Sequence, residues 1–112
     1  MALPSKSRLS NSSGVKKVFK RGKNISSELF QIKFIPAEAG VSKFAFIVGL
    51  KVSKKAVARN RLRRKLSEII RLNISKIRQG FFIVIMAKPK TVGREYRYLE
   101  KDLMDALSRI NQ

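Results

Sequence analysis

The sequence contains no cysteine and no histidine among its 112 residues. Their absence excludes a disulfide framework, a zinc site of the usual type and a thiol nucleophile. The chain also lacks the side chain that most often acts as a general base near neutral pH. We therefore expect a protein that binds its partner and does not itself carry out chemistry.

Acidic residues are scarce as well, since 7 Asp and Glu stand against 26 Lys and Arg. Seven scattered carboxylates are a poor supply for a metal-dependent nuclease site. The formal net charge is +19, and a charge of this size attracts polyanions. Nucleic acid is therefore the first partner to consider, and an anionic membrane surface is the second.

Long hydrophobic runs are missing too. The longest ones, Phe44 to Leu50 and Phe81 to Ala87, are far too short to span a bilayer. The first 14 residues contain no apolar segment of the kind that secretory signals require. The composition predicts a soluble cytoplasmic protein, and the 44% of hydrophobic residues are enough for one small core.

We expect the chain to divide into a flexible basic arm, residues 1–14, and a single domain, residues 15–112. The domain is predicted to begin with a short helix from Val15 to Lys20, which Gly22 would end.

Three segments have the pattern of strands, namely 29–35, 43–50 and 81–87. Polar and apolar residues alternate in the first, whereas the other two are apolar on both faces. The second strand is therefore expected in the centre of a sheet, joined to the first by a hairpin connection at residues 36–42.

Two further segments have helical periodicity. The first runs from residue 52 or 53 to Asn73, and the second is a C-terminal helix of about four turns. Their predicted buried stripes are Ala58, Leu62, Leu66, Ile69 or Ile70 and Asn73 in the first, and Tyr96, Leu99, Leu103, Ala106 or Leu107 and Ile110 in the second. The order αββαβα predicts an α+β fold, a single two-layer domain with helices packed on a sheet.

The most basic stretch extends from Lys51 to Lys65, where eight of fifteen residues are Lys or Arg and none is acidic. A helical projection places Asn60, Arg64, Ser67 and Arg71 on one polar stripe, flanked by Arg59, Arg61 and Arg63. Arginine grips phosphate with two parallel hydrogen bonds, and Asn can contact a base edge or a 2′-hydroxyl. A run of charge is often only a solvated face, but here the nearest acidic residues are Glu38 and Glu68, so counter-charges are few.

Residues Ala56 to Arg64, AVARNRLRR, resemble the Arg-Asn-Arg signature of the bacterial ribonuclease P protein family. Three other segments resemble the family in the same order along the chain. They are Arg8-Leu9 in the arm, Val18 to Gly22 in the first helix and turn, and Gly80 to Pro89 in the third strand.

The resemblance implies a fold like the second domain of ribosomal protein S5, with an unusual left-handed β-α-β crossover. It also implies a function as the protein subunit of ribonuclease P, an endoribonuclease that gives tRNA its mature 5′ end. In this family the partner ribonuclease P RNA cuts the precursor tRNA with Mg²⁺ that the RNA mainly binds. The protein subunit holds no metal tightly, supplies no catalytic residue and binds neither a membrane nor a small-molecule substrate.

The resemblance also assigns candidate RNA-binding residues. Arg59, Asn60, Arg61, Arg63 and Arg64 match the signature, Lys51, Lys54 and Lys55 match the basic segment before it, and Arg71 is added from the polar stripe. Phe19 matches an aromatic residue of the cleft for the 5′ leader of precursor tRNA, although it could equally be a core residue. Val15 and Lys33 stand in that cleft where many members carry Phe and Tyr.

Other functions remain open at this point. A general RNA-binding or ribosomal protein without a role in cleavage would share the charge and the αβ content. A DNA-binding module would place the basic helix in a major groove, and composition alone does not separate DNA from RNA. A membrane-surface helix fits less well, because the apolar stripe is needed for the core.

Overall fold

The structure is a computed structural model that describes residues 12–37, 42–77 and 79–110. It contains three α-helices and one four-stranded sheet: α1 Ser12–Arg21, β1 Lys23–Ser26, β2 Phe30–Pro36, β3 Lys43–Ile47, α2 Ala56–Leu72, β4 Phe81–Ala87 and α3 Tyr96–Leu107. Short 3₁₀ turns follow α2 and β4. The α+β class is confirmed. Within the described ranges, no helix has the length and hydrophobicity needed to cross a membrane.

The strand order in the sheet is β1-β2-β4-β3. Strand β4 pairs antiparallel with β2 and parallel with β3, so that Ile85 lies between Ile32 and Phe46. Because α2 connects the parallel strands β3 and β4, the chain contains the β-α-β crossover that the resemblance implies. The left hand of this crossover stays a prediction.

Two predictions about the sheet were wrong. Residues 36–42 do not close a hairpin, because β4 lies between β2 and β3. Strand β3 is at one edge of the sheet and not in its centre. The two inner positions are taken by β2 and β4. In β4, Ile83, Val84 and Ile85 are completely buried, whereas Ile47 at the end of β3 is more than a third exposed. Both strands are apolar on both faces, but only the longer one is covered on both sides along its middle.

Helices α2 and α3 cover one face of the sheet and form the main core with it. Leu66, Ile69 and Ile70 of α2 pack with the side chains of Phe30, Ile32, Phe34, Ile83 and Ile85 on that face. Helix α3 adds Leu99, Leu103, Ala106 and Leu107, as its periodicity predicted, and Ile110 joins the core from the turn after the helix. The predicted stripe of α2 is confirmed as well, and buried Asn73 ends it by donating from Nδ2 to the carbonyl of Ile69 at 2.8 Å and to Glu100 at 2.9 Å.

Helix α1 packs on the opposite face of the sheet. Val18 is completely buried there against Ile35 and Val84, with Val15 half-buried beside them. The helix ends where expected, since the N–H of Gly22 donates to the carbonyl of Val18 at 2.7 Å. Glycine is required at this position, because a Cβ would lie only 2.3 Å from that carbonyl oxygen.

Strand β1 was not anticipated. It contains a single apolar residue, Ile25, and is a strand because it pairs with β2 along its whole length. The turn after it is fixed to α3, since the carboxylate of Asp102 accepts hydrogen bonds from the Ser27 hydroxyl at 2.6 Å and the Leu29 N–H at 3.1 Å.

Several boundaries differ from the sequence prediction. Helix α1 begins three residues earlier, at Ser12, so it includes the end of the predicted arm, whose first 11 residues lie outside the described part. Helix α2 begins at Ala56, which leaves residues 48–55 as an irregular connection. Helix α3 has 12 residues, about three turns, and ends in a turn at residues 108–110.

Candidate nucleic-acid interface

The connection between β3 and α2 places three lysines at the start of the basic helix. It turns tightly at Gly49, whose carbonyl accepts hydrogen bonds from the N–H groups of Val52 at 3.1 Å and Ser53 at 3.5 Å. The side chains of Lys51, Lys54 and Lys55 are all exposed. Among the described residues, no side chain caps the N-terminus of α2, so its first N–H groups and the positive end of its dipole can meet an anion.

Two of the signature arginines fold back on this connection. Arg59 donates to the carbonyl of Ser53 at 2.9 Å, and Arg63 donates to the carbonyl of Val48 at 3.4 Å. Arg63 also donates to the side-chain oxygen of Asn60. These hydrogen bonds hold the connection against α2. Because both arginines are half-buried, only part of each guanidinium is open to a ligand.

Three other basic residues of the helix are free to meet a ligand. Arg61, Arg64 and Lys65 are exposed on neighbouring turns, as spacings of three and four residues require. Among the described residues, none accepts a hydrogen bond or forms an ion pair with these three. We call Asn60, Arg61, Arg64 and Lys65 the α2 surface. Lys65 was not a sequence candidate because it lies outside the signature, yet it follows Arg61 by four residues on the same side of the helix.

Arg71 differs from these residues because it has a protein partner. It forms an ion pair with Glu68, one turn earlier in the helix. The pKa of Glu68 is lowered to about 2, and the largest cause is the hydrogen bond from Arg71. The charge of Arg71 is therefore partly neutralised. Arg71 also lies about 15 Å along the helix axis from Arg61.

A second set of candidate residues lies beside α1. The ring of Phe19 is 40% exposed, and the ammonium of Lys33 lies 5.5 Å from its centre. The buried neighbour that holds α1 to the sheet is Val18, so Phe19 is not the core residue of this helix. We call Phe19, Lys33 and the half-buried Val15 the α1 surface.

The two surfaces lie on opposite sides of the sheet. In β4, Ile83 and Ile85 point toward the core under α2, and Val84 between them points toward α1. Successive side chains of a strand alternate between its faces, so the sheet itself separates the two surfaces. In the described part of the chain, no group of three or more acidic side chains is placed to hold a metal ion.

The comparisons with known proteins decide the family. The family model described as Ribonuclease P matches residues 3–111. The chain belongs to the ribonuclease P protein family. A curated ribonuclease P protein component from Alkaliphilus oremlandii is 31% identical over 104 residues, which cover 93% of this chain and 90% of that protein. The one from Finegoldia magna is 38% identical over 90 residues, covering 78% and 75%.

Solved structures of ribonuclease P proteins have the same fold. The protein from Thermotoga maritima superposes with a TM-score of 0.87 at 29% identity, covering 94% of this chain and 98% of that one. The protein from Staphylococcus aureus superposes with a TM-score of 0.82, covering 91% and 93%, and at 18% identity it supports the fold alone.

Membership in the ribonuclease P family settles the general function. The chain is the protein subunit of ribonuclease P, the endoribonuclease that processes the 5′ ends of tRNA precursors, and its partner in the holoenzyme is an RNA. A general ribosomal protein, a DNA-binding module and a membrane-surface helix are therefore set aside.

Proposed function

We propose that the α2 surface binds the catalytic ribonuclease P RNA and that the α1 surface binds the 5′ leader of precursor tRNA. The observation that carries this proposal is the position of the two surfaces on opposite faces of one sheet. A protein built this way can contact two RNA segments at once without competition between them.

The charge and exposure of the α2 surface support its part in the proposal. Its cations have no ion-pair partner among the described residues, so a phosphate gains their attraction without breaking an existing contact. Lys51, Lys54 and Lys55 continue the same surface around the open N-terminus of α2. Arg59 and Arg63 contribute mainly by holding the connection in place, and Arg71 extends the surface toward the end of the helix.

The α1 surface suits a single-stranded segment. An exposed aromatic ring such as Phe19 can stack on an unpaired base, which contributes about 1–3 kcal/mol per base. The ammonium of Lys33 beside the ring can meet the neighbouring phosphate. Val15 offers apolar contact where many family members have a second aromatic ring, so this leader site depends more on charge than on stacking.

In this proposal the RNA carries out the cleavage and holds the Mg²⁺ that it needs. A chain with a net charge of +19 repels a free divalent cation, whereas the phosphates of the partner RNA attract it. By neutralising phosphates, the protein lets the RNA and the precursor approach each other at a lower Mg²⁺ concentration. We place this activity in the cytoplasm, with the precursor tRNA.

The first experiment measures cleavage of a precursor tRNA by bacterial ribonuclease P RNA at low Mg²⁺, with and without the protein. We expect strong stimulation and a product cut at the mature 5′ end. Tight RNA binding without any stimulation by a cognate RNA would contradict a role in cleavage.

A second experiment separates the two surfaces with matched variants. Arg64→Ala should weaken binding to ribonuclease P RNA, and Lys76→Ala, which removes an exposed cation elsewhere, should have little effect. Phe19→Ala should weaken holoenzyme binding to precursor tRNA but not to mature tRNA, whereas Leu72→Ala, another exposed apolar residue, should change neither. Equal losses of precursor and mature tRNA binding in Phe19→Ala would contradict the leader site.

A further inference from the structure

A groove of about 370 Å³ opens between α2 and the segment that follows β4. One wall is a single side of the helix, formed by Ala58, Arg61, Leu62 and Lys65, and the opposite wall is formed by residues 91–94. The groove is near the lower limit of the volumes that small-ligand sites have, about 300 Å³.

Charge and hydrophobicity are separated inside this groove. Leu99 at its base is buried, Leu62 is half-buried, and Arg61, Lys65 and Arg94 are exposed at its edge. None of the described residues that line it is acidic. A ligand that combines an apolar part with a negative charge is complementary to this lining.

The wall opposite α2 is held in place by the protein's own contacts. Thr91 is buried, and its hydroxyl donates to the carbonyl of Lys88 at 2.7 Å. Gly93 has a φ of 75°, a left-handed conformation that glycine adopts without strain. The guanidinium of Arg94 lies 5.0 Å from the ring of Tyr98, and its Nε donates to the carbonyl of Lys90 at 3.2 Å. The groove thus exists before any ligand arrives, and little ordering is needed on binding.

We propose that this groove holds one unpaired nucleotide of the partner RNA. Its nucleobase would pack on half-buried Leu62, and its flanking phosphates would meet Arg61, Lys65 and Arg94. Proteins recognise RNA sequence mainly through bases that are splayed out of the stack, because the deep major groove of an RNA helix does not admit side chains. This assignment rests on the proposed role of the α2 surface and names the segment of RNA that this surface takes.

Two variants disturb the groove without removing a cation. Ala58→Leu fills it from the α2 wall, and Val92→Asp adds a carboxylate at its edge. Leu72→Asp is the matched control for the second, because it adds the same charge at an exposed apolar position outside the groove. We expect about tenfold weaker binding of ribonuclease P RNA by Ala58→Leu, the size of effect that loss of one stacked base gives. Val92→Asp should lose clearly more affinity than Leu72→Asp.

The RNA side of the contact is tested by chemical probing of the complex at saturating protein. One unpaired nucleotide should be protected by the wild-type chain and reactive in the Ala58→Leu complex. Because the sequence has no cysteine, Val92→Cys gives a unique attachment point for a photo-crosslinker. Its crosslink should map to the same nucleotide, and one placed at Lys76→Cys should not.

The outcomes separate this inference from the proposed function. Wild-type affinity and an unchanged protection pattern in Ala58→Leu and Val92→Asp would overturn the nucleotide site, as would Val92 crosslinks spread over paired regions. Weak binding by Arg64→Ala, which lies outside the groove, would in that case still support the α2 surface. Normal binding by Arg64→Ala would count against the α2 surface itself.

A folding control is needed for Ala58→Leu, and circular dichroism provides it. If the spectrum differs from that of the wild-type chain, the result for Val92→Asp is used to test the nucleotide site. The side chain of Val92 is exposed, so this substitution does not disturb the core.

Discussion

At the scale of single residues, the basic stretch contains arginines of two kinds. Arg59 and Arg63 donate to carbonyls of the β3–α2 connection, whereas Arg61 and Arg64 point to solvent. The sequence alone does not distinguish these four residues, because each is an arginine in the same motif. Their difference arises from the position of residues 48–55, which the periodicity of α2 does not specify.

This division predicts different effects of two alanine substitutions. Arg59→Ala should lower the free energy of unfolding by about 1 kcal/mol, because it removes the hydrogen bond to Ser53, and it should also weaken RNA binding. Arg64→Ala should weaken RNA binding with no change in stability. Urea denaturation and equilibrium RNA binding measure the two quantities. Equal stability losses in both variants would contradict the division.

Tyr96 gives a second prediction at this scale. Its hydroxyl is buried and, within the described part of the chain, has no hydrogen-bond partner. Burial raises the pKa of Tyr96, and the nearby Glu100 and Glu68 raise it further. Tyr96→Phe removes an unsatisfied polar group, so we expect unchanged stability or a gain of about 1 kcal/mol in urea denaturation. A clear loss of stability would show that the hydroxyl has a partner in solution.

At the scale of elements, α1 is held to the sheet by very few residues. Val18 is the one completely buried side chain among the described residues of this helix, and Gly22 lets the chain turn directly into β1. The position of Phe19 on the surface follows from these two neighbours. The proposed leader site therefore depends on how α1 ends as much as on its aromatic ring.

Two glycines provide a matched test of this point. Gly22→Ala places a Cβ against the carbonyl of Val18, so we expect a loss of about 1–3 kcal/mol in stability and weaker binding of precursor tRNA. Gly49→Ala meets nothing within 4 Å and should be tolerated. Thermal unfolding and binding of precursor against mature tRNA measure both effects. A stable Gly22→Ala variant with normal leader discrimination would contradict this account of α1.

At the scale of the whole molecule, the excess of positive charge acts in opposite directions on folding and on binding. A net charge of +19 repels itself in the compact state, and the same charge attracts RNA. Salt screens both interactions, since the Debye length falls from about 10 Å at 0.1 M to about 3 Å at 1 M.

We therefore expect added NaCl to raise the Tm of the free protein and to weaken its binding to ribonuclease P RNA. Each phosphate contact contributes about 0.7–0.9 to the slope of log affinity against log salt, so Arg64→Ala should reduce that slope by about one. Lys76→Ala serves as the control and should leave it unchanged. A Tm that falls as salt is added would contradict the self-repulsion.

The sequence by itself determined the class of fold, the buried stripes of α2 and α3, the location of the basic surface and, through the Arg-Asn-Arg motif, the family. These features follow from local composition and from hydrophobic periods of two or 3.6 residues. Both can be recognised within a short segment of the sequence. Only the tertiary structure decided the strand order, the existence of β1, the two kinds of arginine and the groove beside α2. The strand order and the groove depend on segments that are distant in sequence, such as β2 with β4 or α2 with residues 91–94. Strand β1 and the two kinds of arginine depend on how nearby segments fold back on each other, and the local pattern specifies neither kind of contact.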